Sequence, residues 1–132
     1  MNTNTNTNTD NYAFTPRQID AAYINSLVNL VNICRELNVK LDTVQTFQNG
    51  WRVTFEGFEG DAICHDHSYG SPCYGGIFNS TVHTNDWSRF GSWETINFPW
   101  DNDDVSVHDA ETLVHMIAAL RDGLDWKQYE DS

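Results

Sequence analysis

The residues best suited to chemistry in this chain are two cysteines and two histidines around a glycine-rich loop, HSYGSPCYGG. His65 and His67 are separated by one residue, so on a strand they would point to the same side. Cys and His are ligands that suit zinc, and Cys64, His65, His67 and Cys73 therefore predict a zinc site, which His83 could complete instead of Cys73. The spacing lacks paired CxxC units. The alternative is a strand end with a buried, hydrophobe-like Cys64 and solvated histidines.

The same region has the residue types of a cysteine hydrolase. Cys64 or Cys73 could serve as a nucleophile beside a histidine and Asp66. Such a site also needs a third orienting group and an oxyanion hole, and no sequence pattern marks either. The lack of catalytic motifs favours a protein without catalytic activity. A small metal-dependent or thiol enzyme built from residues 64–83 is the alternative.

The charge balance restricts the class of partner. The chain has 19 Asp and Glu against 7 Lys and Arg, which gives a net charge of −12. Such a chain repels nucleic-acid backbones and anionic membranes, so direct binding to either is not expected. Basic protein surfaces and cations are the natural partners, unless the charge only keeps an aromatic-rich protein soluble.

Acidic and aromatic residues near the C-terminus predict a partner-binding surface. The densest acidic run, DNDD, lacks the glycine and the closing Glu of an EF-hand calcium loop. Aromatic residues anchor many interfaces, although they also cover small sheets. The predicted surface consists of Asp101, Asp103, Asp104, Asp109, Glu111, Trp87 and Trp100.

A first helix is predicted from Pro16 to Leu37. Thr15 is suited to the N-cap and Pro16 to the first helical position. Apolar residues recur at helical spacing along one face, which includes Leu30, and Asn38 is suited to the C-terminal end.

A second helix is predicted to begin at Ser106, with Asp109 completing a capping box, and to end at Gly123. Its apolar face includes Leu113. On this helix His108, Glu111 and His115 would share a face, as a weak metal site or as solvated side chains. The tail beyond it could dock through Leu124 and Trp126.

Alternating apolar and polar residues predict a small antiparallel sheet of three to five strands. Residues 41–47 and 51–55 form a hairpin, with Asn49-Gly50 in a type I′ turn. Further strands are predicted at 61–65 and 77–83. The result is an α+β fold in which both helices pack on one face of the sheet.

Residues 1–11, a polar Asn-Thr repeat, are predicted to be a disordered tail, and residues 12–132 a single α+β domain. The N-terminus has neither the basic nor the apolar region of a signal peptide, and no segment is as long as a transmembrane helix. The chain has three cysteines, an odd number, so at least one of them cannot be paired within the chain. A cytoplasmic protein with free thiols is therefore expected.

In size, acidity, aromatic content and the order of its elements, the whole chain resembles small phage-encoded accessory proteins, among them anti-restriction and anti-CRISPR inhibitors. The resemblance includes no motif and assigns no residue roles. It implies an inhibitor of a host nucleic-acid-binding defence protein, acting in the host cytoplasm. Its acids are interspersed with Gly, Asn and aromatics, which departs from inhibitors that mimic DNA along helix faces. A minor structural or virion-assembly protein that self-associates through aromatic residues is a further alternative.

Overall fold

A computed structural model of the chain describes residues 16–73 and 90–130. The predicted α+β class is confirmed. No helix in these two ranges is long and apolar enough to cross a membrane. In chain order the elements are α1 (Pro16–Leu37), β1 (Leu41–Phe47), β2 (Gly50–Phe55), β3 (Asp61–Cys64), β4 (Trp93–Ile96), β5 (Ser106–His108), α2 (Ala110–Arg121) and a short 3₁₀ helix (Trp126–Tyr129).

The five strands form one antiparallel sheet in the order β1-β2-β3-β4-β5, so each strand pairs with its neighbour in the sequence. Side chains alternate between the two faces of such a sheet. Val53, Phe55, Ala62 and Trp93 lie on the inner face and are fully or almost fully buried. The inner face therefore forms one side of the core.

Both helices form the other side of this core. Leu30 of α1 and Leu113 of α2 are completely buried and belong to the same apolar cluster as the inner face of the sheet. The helices contact each other, while α1 also contacts β2 and α2 contacts β5. The prediction that both helices cover one face of the sheet is confirmed.

The ends of the two helices are closed by the same backbone motif. Asn38 and Gly123 adopt positive φ, 57° and 73°. The N–H of the following residue, Val39 or Leu124, bonds to a carbonyl five residues back, as in a Schellman motif. Asn38 and Gly123 therefore end their helices as predicted.

Arg121 joins the C-terminal ends of the two helices. Its Nη1 donates to the carbonyls of Leu37 and Asn38, at 2.9 and 2.7 Å, and Asp122 pairs with its guanidinium. A cation at these carbonyls also suits the negative end of the helix dipole.

The β1–β2 turn lies one residue earlier than predicted. Gln48 and Asn49 are its central residues, with φ of 48° and 69°, and Phe47 pairs with Gly50 across the hairpin. The type I′ class is thus correct but the position is wrong. Gly50 is needed for another reason, because a Cβ there would lie 1.9 Å from the carbonyl oxygen of Cys64.

The second helix begins later than predicted. It starts at Ala110, and its N-cap is Asp109, whose carboxylate accepts the N–H of Thr112 at 2.7 Å. Ser106 instead begins β5, which pairs with β4, so the predicted capping box is wrong. The pairing with β4 outweighs the local tendency of Ser106 to cap a helix.

This later start also changes the predicted helix face. His108 is a buried strand residue and does not share a helix with Glu111 and His115. The tail docks only in part: Trp126 packs against the core, whereas Leu124 is 54% exposed.

The third strand ends at Cys64, one residue earlier than predicted. The predicted tail (1–11), the predicted strand at 77–83 and Trp87 lie outside the described residues.

Substitution in the hairpin distinguishes the two turn positions. Gly50→Ala should destabilise the protein by about 1–3 kcal/mol, because the new Cβ would overlap the β3 backbone. Gln48→Gly should be neutral or stabilising, because glycine adopts positive φ without strain. Urea unfolding of the two variants measures both effects. If Gln48→Gly destabilised the protein and Gly50→Ala had no effect, the central residues of the turn would instead be Asn49 and Gly50.

Truncation of the core leucines tests the layer arrangement. Leu30→Ala and Leu113→Ala should each lower the free energy of unfolding by about 2–5 kcal/mol, because each leaves a cavity between helix and sheet. Leu124→Ala is the matched control and should change it by less than about 0.5 kcal/mol. Equal effects at all three positions would contradict the arrangement.

Candidate protein-binding surface

The connection between β4 and β5 is organised around one buried carboxylate, Asp101, which is 5% exposed. Its Oδ2 accepts the backbone N–H of Phe98 at 3.1 Å. Its Oδ1 accepts the hydroxyls of Thr95, at 3.0 Å, and Ser106. The side chain therefore fixes the loop to the two strands it connects.

The hydrogen bonds continue from Asp101 to His108. With its proton directed at Asp101, Ser106 Oγ accepts from His108 Nε2 at 2.8 Å. In a catalytic triad the hydroxyl faces the histidine and the carboxylate orients the imidazole. Here the carboxylate contacts the serine itself, so the group holds the strands together and does not activate a nucleophile.

Trp100 also belongs to the core. Its ring stacks on Phe98 with centroids 4.7 Å apart and meets Trp126 edge-on at 5.6 Å. Its Nε1 donates to Thr95 Oγ1 at 3.1 Å. Trp100 and Asp101 were predicted to contact a partner, but the structure buries both side chains. This loop has no hydrophobic alternation that could have revealed their burial.

The two remaining acids of this loop, Asp103 and Asp104, line a concave surface together with Glu59, Asn97 and Asn102, and we call these five residues the acidic patch. The depression has a volume of about 550 Å³. Asn97, Asn102 and Asp103 adopt positive φ, which Asn and Asp tolerate better than most residues. Glu59 comes from the β2–β3 turn, and nothing in the sequence connected it with the DNDD run.

The acidic patch is not neutralised by the described part of the chain. No Lys or Arg of residues 16–73 and 90–130 lines the depression. The Arg ion pairs of these ranges are formed elsewhere, by Arg52 with Asp61 and by Arg121 with Asp122. Among the described residues, the patch therefore presents three carboxylates and two side-chain amides with no compensating cation.

The other two predicted acids lie at the start of α2. Asp109 is exposed and caps the helix, and the Glu111 side chain is 75% exposed. Glu111 Oε2 is 3.9 Å from Nε2 of His115, whose ring stacks on Tyr129. Both acids are available at the surface.

The predicted zinc ligands have different environments. Cys64 is in the core, and burial raises the pKa of its thiol to about 12. Burial and the neighbouring His67 lower the pKa of His65, whose Nδ1 accepts the His67 N–H at 3.1 Å. Within residues 16–73 and 90–130, no group of three or more Cys, His, Asp or Glu is arranged to hold a metal ion. Zinc binding at Cys64, His65, His67 and Cys73 stays a prediction.

Asp66 joins α1, the hairpin turn and the loop after β3. Its two oxygens accept from Tyr23 Oη at 2.8 Å and from Asn49 Nδ2 at 2.6 Å. Burial, and then the negative charge of Asp66, raise the pKa of the Cys73 thiol to about 12. A thiol in this state is the opposite of an activated nucleophile. The thiol enzyme stays a prediction, which alkylation of the native protein tests.

Amide substitution separates the structural acid from the surface acids. Asp101→Asn should lower the free energy of unfolding by about 2–3 kcal/mol, because buried hydrogen bonds to a carboxylate are lost. Asp103→Asn, the control two residues away, should change it by less than about 0.5 kcal/mol. A neutral Asp101→Asn in urea unfolding would contradict the role of Asp101 in the loop.

The buried thiols predict a loss of stability in alkali. Burial raises the pKa values of Cys34, Cys64 and Cys73 to about 12, so the folded state retains protons that the unfolded state releases. The free energy of unfolding should therefore be unaffected by these groups at neutral pH and fall as the pH rises above about 9. Urea unfolding across this pH range should show that the free energy of unfolding declines less steeply for Cys64→Ala than for the wild type.

Alkylation tests the same thiols at neutral pH. Iodoacetamide should modify them slowly in the native protein and rapidly after unfolding, because the native thiols are buried and protonated. Rapid, stoichiometric modification of the native protein would instead support a thiol enzyme.

Comparison with known proteins adds no relative. No protein-family model, no curated protein and no solved structure matches the chain. The functional argument therefore depends on the surface and the buried groups described above.

Proposed function

We propose that the protein is an acidic binding module that docks on a basic protein surface through the acidic patch. The observation that carries this proposal is the depression lined by Glu59, Asp103 and Asp104, in which the described residues supply no cation. Carboxylates accept bidentate hydrogen bonds from Arg, and the amides of Asn97 and Asn102 offer further acceptors.

The rim of the acidic patch suits long basic side chains. Ile96 is 42% exposed and lines the depression together with Pro99. Lys and Arg cover apolar surface with their aliphatic stems while their charged ends reach acceptors. An apolar rim beside carboxylates therefore supports recognition of Lys and Arg over recognition of a simple cation.

The partner class follows from the charge and from the resemblance to phage-encoded inhibitors. Proteins that bind nucleic acid present clustered Lys and Arg along a groove or face. A chain of net charge −12 is attracted to such a surface over long range, which speeds association and makes it sensitive to salt. The proposed activity is inhibition of a host nucleic-acid-binding defence protein by occupation of its basic groove, in the host cytoplasm.

Charge reversal at the patch tests the proposal. The variant carries Glu59→Lys, Asp103→Lys and Asp104→Lys, and the control carries Glu36→Lys, Asp42→Lys and Glu130→Lys, all exposed positions. Both change the net charge equally. Tagged proteins are used to capture partners from an extract of the native host, and bound proteins are quantified by mass spectrometry.

The patch variant should capture at least about tenfold less of a basic partner than the wild type does, whereas the control should show a much smaller decrease. The wild-type complex should dissociate as the salt concentration approaches about 0.5 M, because its charges are screened. Equal losses in both variants would assign the effect to net charge alone. Binding that is independent of ionic strength would contradict the electrostatic docking.

A further inference from the structure

One side of α1 carries an exposed apolar stripe with a charged residue at each end. Ile24 and Val28 are 50% and 49% exposed, and Val31 is partly exposed. At 100° per residue, these three side chains and the exposed Asp20 and Arg35 fall within a sector of about 80° on the helix. An apolar strip of this kind on a surface helix is typical of a contact with another element.

The stripe is nearly complementary to a second copy of itself that runs in the opposite direction. Asp20 and Arg35 lie at similar distances on either side of Val28, about 12 and 10.5 Å along the helix axis at 1.5 Å per residue. Ile24 and Val31 are placed in the same way, nearer the centre. A second α1 running antiparallel would therefore put an acid opposite a base at both ends and apolar side chains between them.

A groove between α1 and the neighbouring edge strand β1 lies beside this stripe. The groove between α1 and β1 has a depression at each end, one of about 210 Å³ that includes Asp20 and one of about 510 Å³ that includes Arg35 and Lys40. Between them Val44 of β1 is 45% exposed. Asp20 is thus the acid of one depression, whereas Arg35 and Lys40 line the other together with one acid, Glu56.

We propose that this face binds a second copy of the chain, with the two α1 helices antiparallel about a two-fold axis near Val28. Asp20 then faces Arg35 of the partner subunit. The charge pattern selects this occupant. A basic partner would be repelled by the Arg35 end and an acidic partner by the Asp20 end, whereas a second copy satisfies both. Two-fold dimers of this isologous kind are the commonest protein oligomers.

The dimer should be weak and should respond to salt in the opposite sense to the acidic patch. The stripe and Val44 form a smaller surface than the roughly 800 Å² per partner of a standard interface. Two copies of net charge −12 also repel each other, so moderate salt should strengthen self-association by screening this repulsion.

Sedimentation equilibrium of the purified full chain, over a range of concentrations, measures the dimer. Val28→Glu places two carboxylates at the two-fold axis and should raise the dimer Kd at least about tenfold. Asn29→Glu is the matched control, on the same helix but about 140° from the centre of the stripe, and should leave the Kd within about threefold. Circular dichroism and urea unfolding verify that both variants are folded.

A charge swap provides the decisive comparison. Asp20→Arg and Arg35→Asp should each weaken the dimer, because each places like charges opposite one another, and the double variant should restore the wild-type Kd. A protein that stays monomeric at millimolar concentration would overturn the proposal. So would a dimer unchanged by Val28→Glu, which would place the contact on another surface, or a double variant no better than the singles. These measurements use the purified chain without a partner, so a failure of the dimer is distinguishable from a failure of the acidic patch to capture a basic partner.

Discussion

Burial of one face of the sheet is the constraint on which the rest of the structure depends. Five strands spaced about 4.8 Å apart are wider than two helices packed about 8–10 Å apart can fully cover. The helices contact β2 and β5, and the side chains buried in the core beneath them include Phe55 and Trp93. The inner side of the edge strand β1, including Val44, is left exposed beside α1. The groove beside α1 is thus a consequence of how two helices fit on five strands.

The cost of burying a charge explains why the acids of the β4–β5 loop have different roles. A carboxylate is buried at low cost only when several donors satisfy it, and Asp101 has donors from its own loop and from both adjoining strands. Once Asp101 holds the loop closed, Asp103 and Asp104 are turned outward. Composition identified the run as unusually acidic, but only the three-dimensional contacts distinguish its structural acid from its surface acids.

Sequence periodicity predicted the parts of the fold that local patterns determine. The apolar spacing of α1 and α2 placed Leu30 and Leu113 in the core, because the helical repeat leaves one face to bury. Errors arose where a distant contact decides the outcome. Gly50 fits a turn by residue type, yet the nearby Cys64 backbone requires a glycine in the strand. Ser106 fits a helix cap, yet pairing with β4 and a bond to Asp101 place it in a strand.

The two proposed contacts use different sets of surface residues and can act together. The α1–β1 groove flanks one edge strand, while the acidic patch is formed by the β2–β3 turn and the β4–β5 connection. No described residue lines both the groove depressions and the acidic patch, so the proposed two-fold dimer through α1 does not itself occupy the patch of either copy. Two patches on one particle can engage two basic sites of an oligomeric or repetitive target, and such bivalency raises the apparent affinity by about 10²–10⁴ when the geometry allows simultaneous contact. Two acidic copies repel each other, and a basic target neutralises the charge that causes this repulsion. The dimer should therefore form preferentially on a basic target. On this argument dimerisation and partner binding are positively coupled, and each should strengthen the other by the same factor.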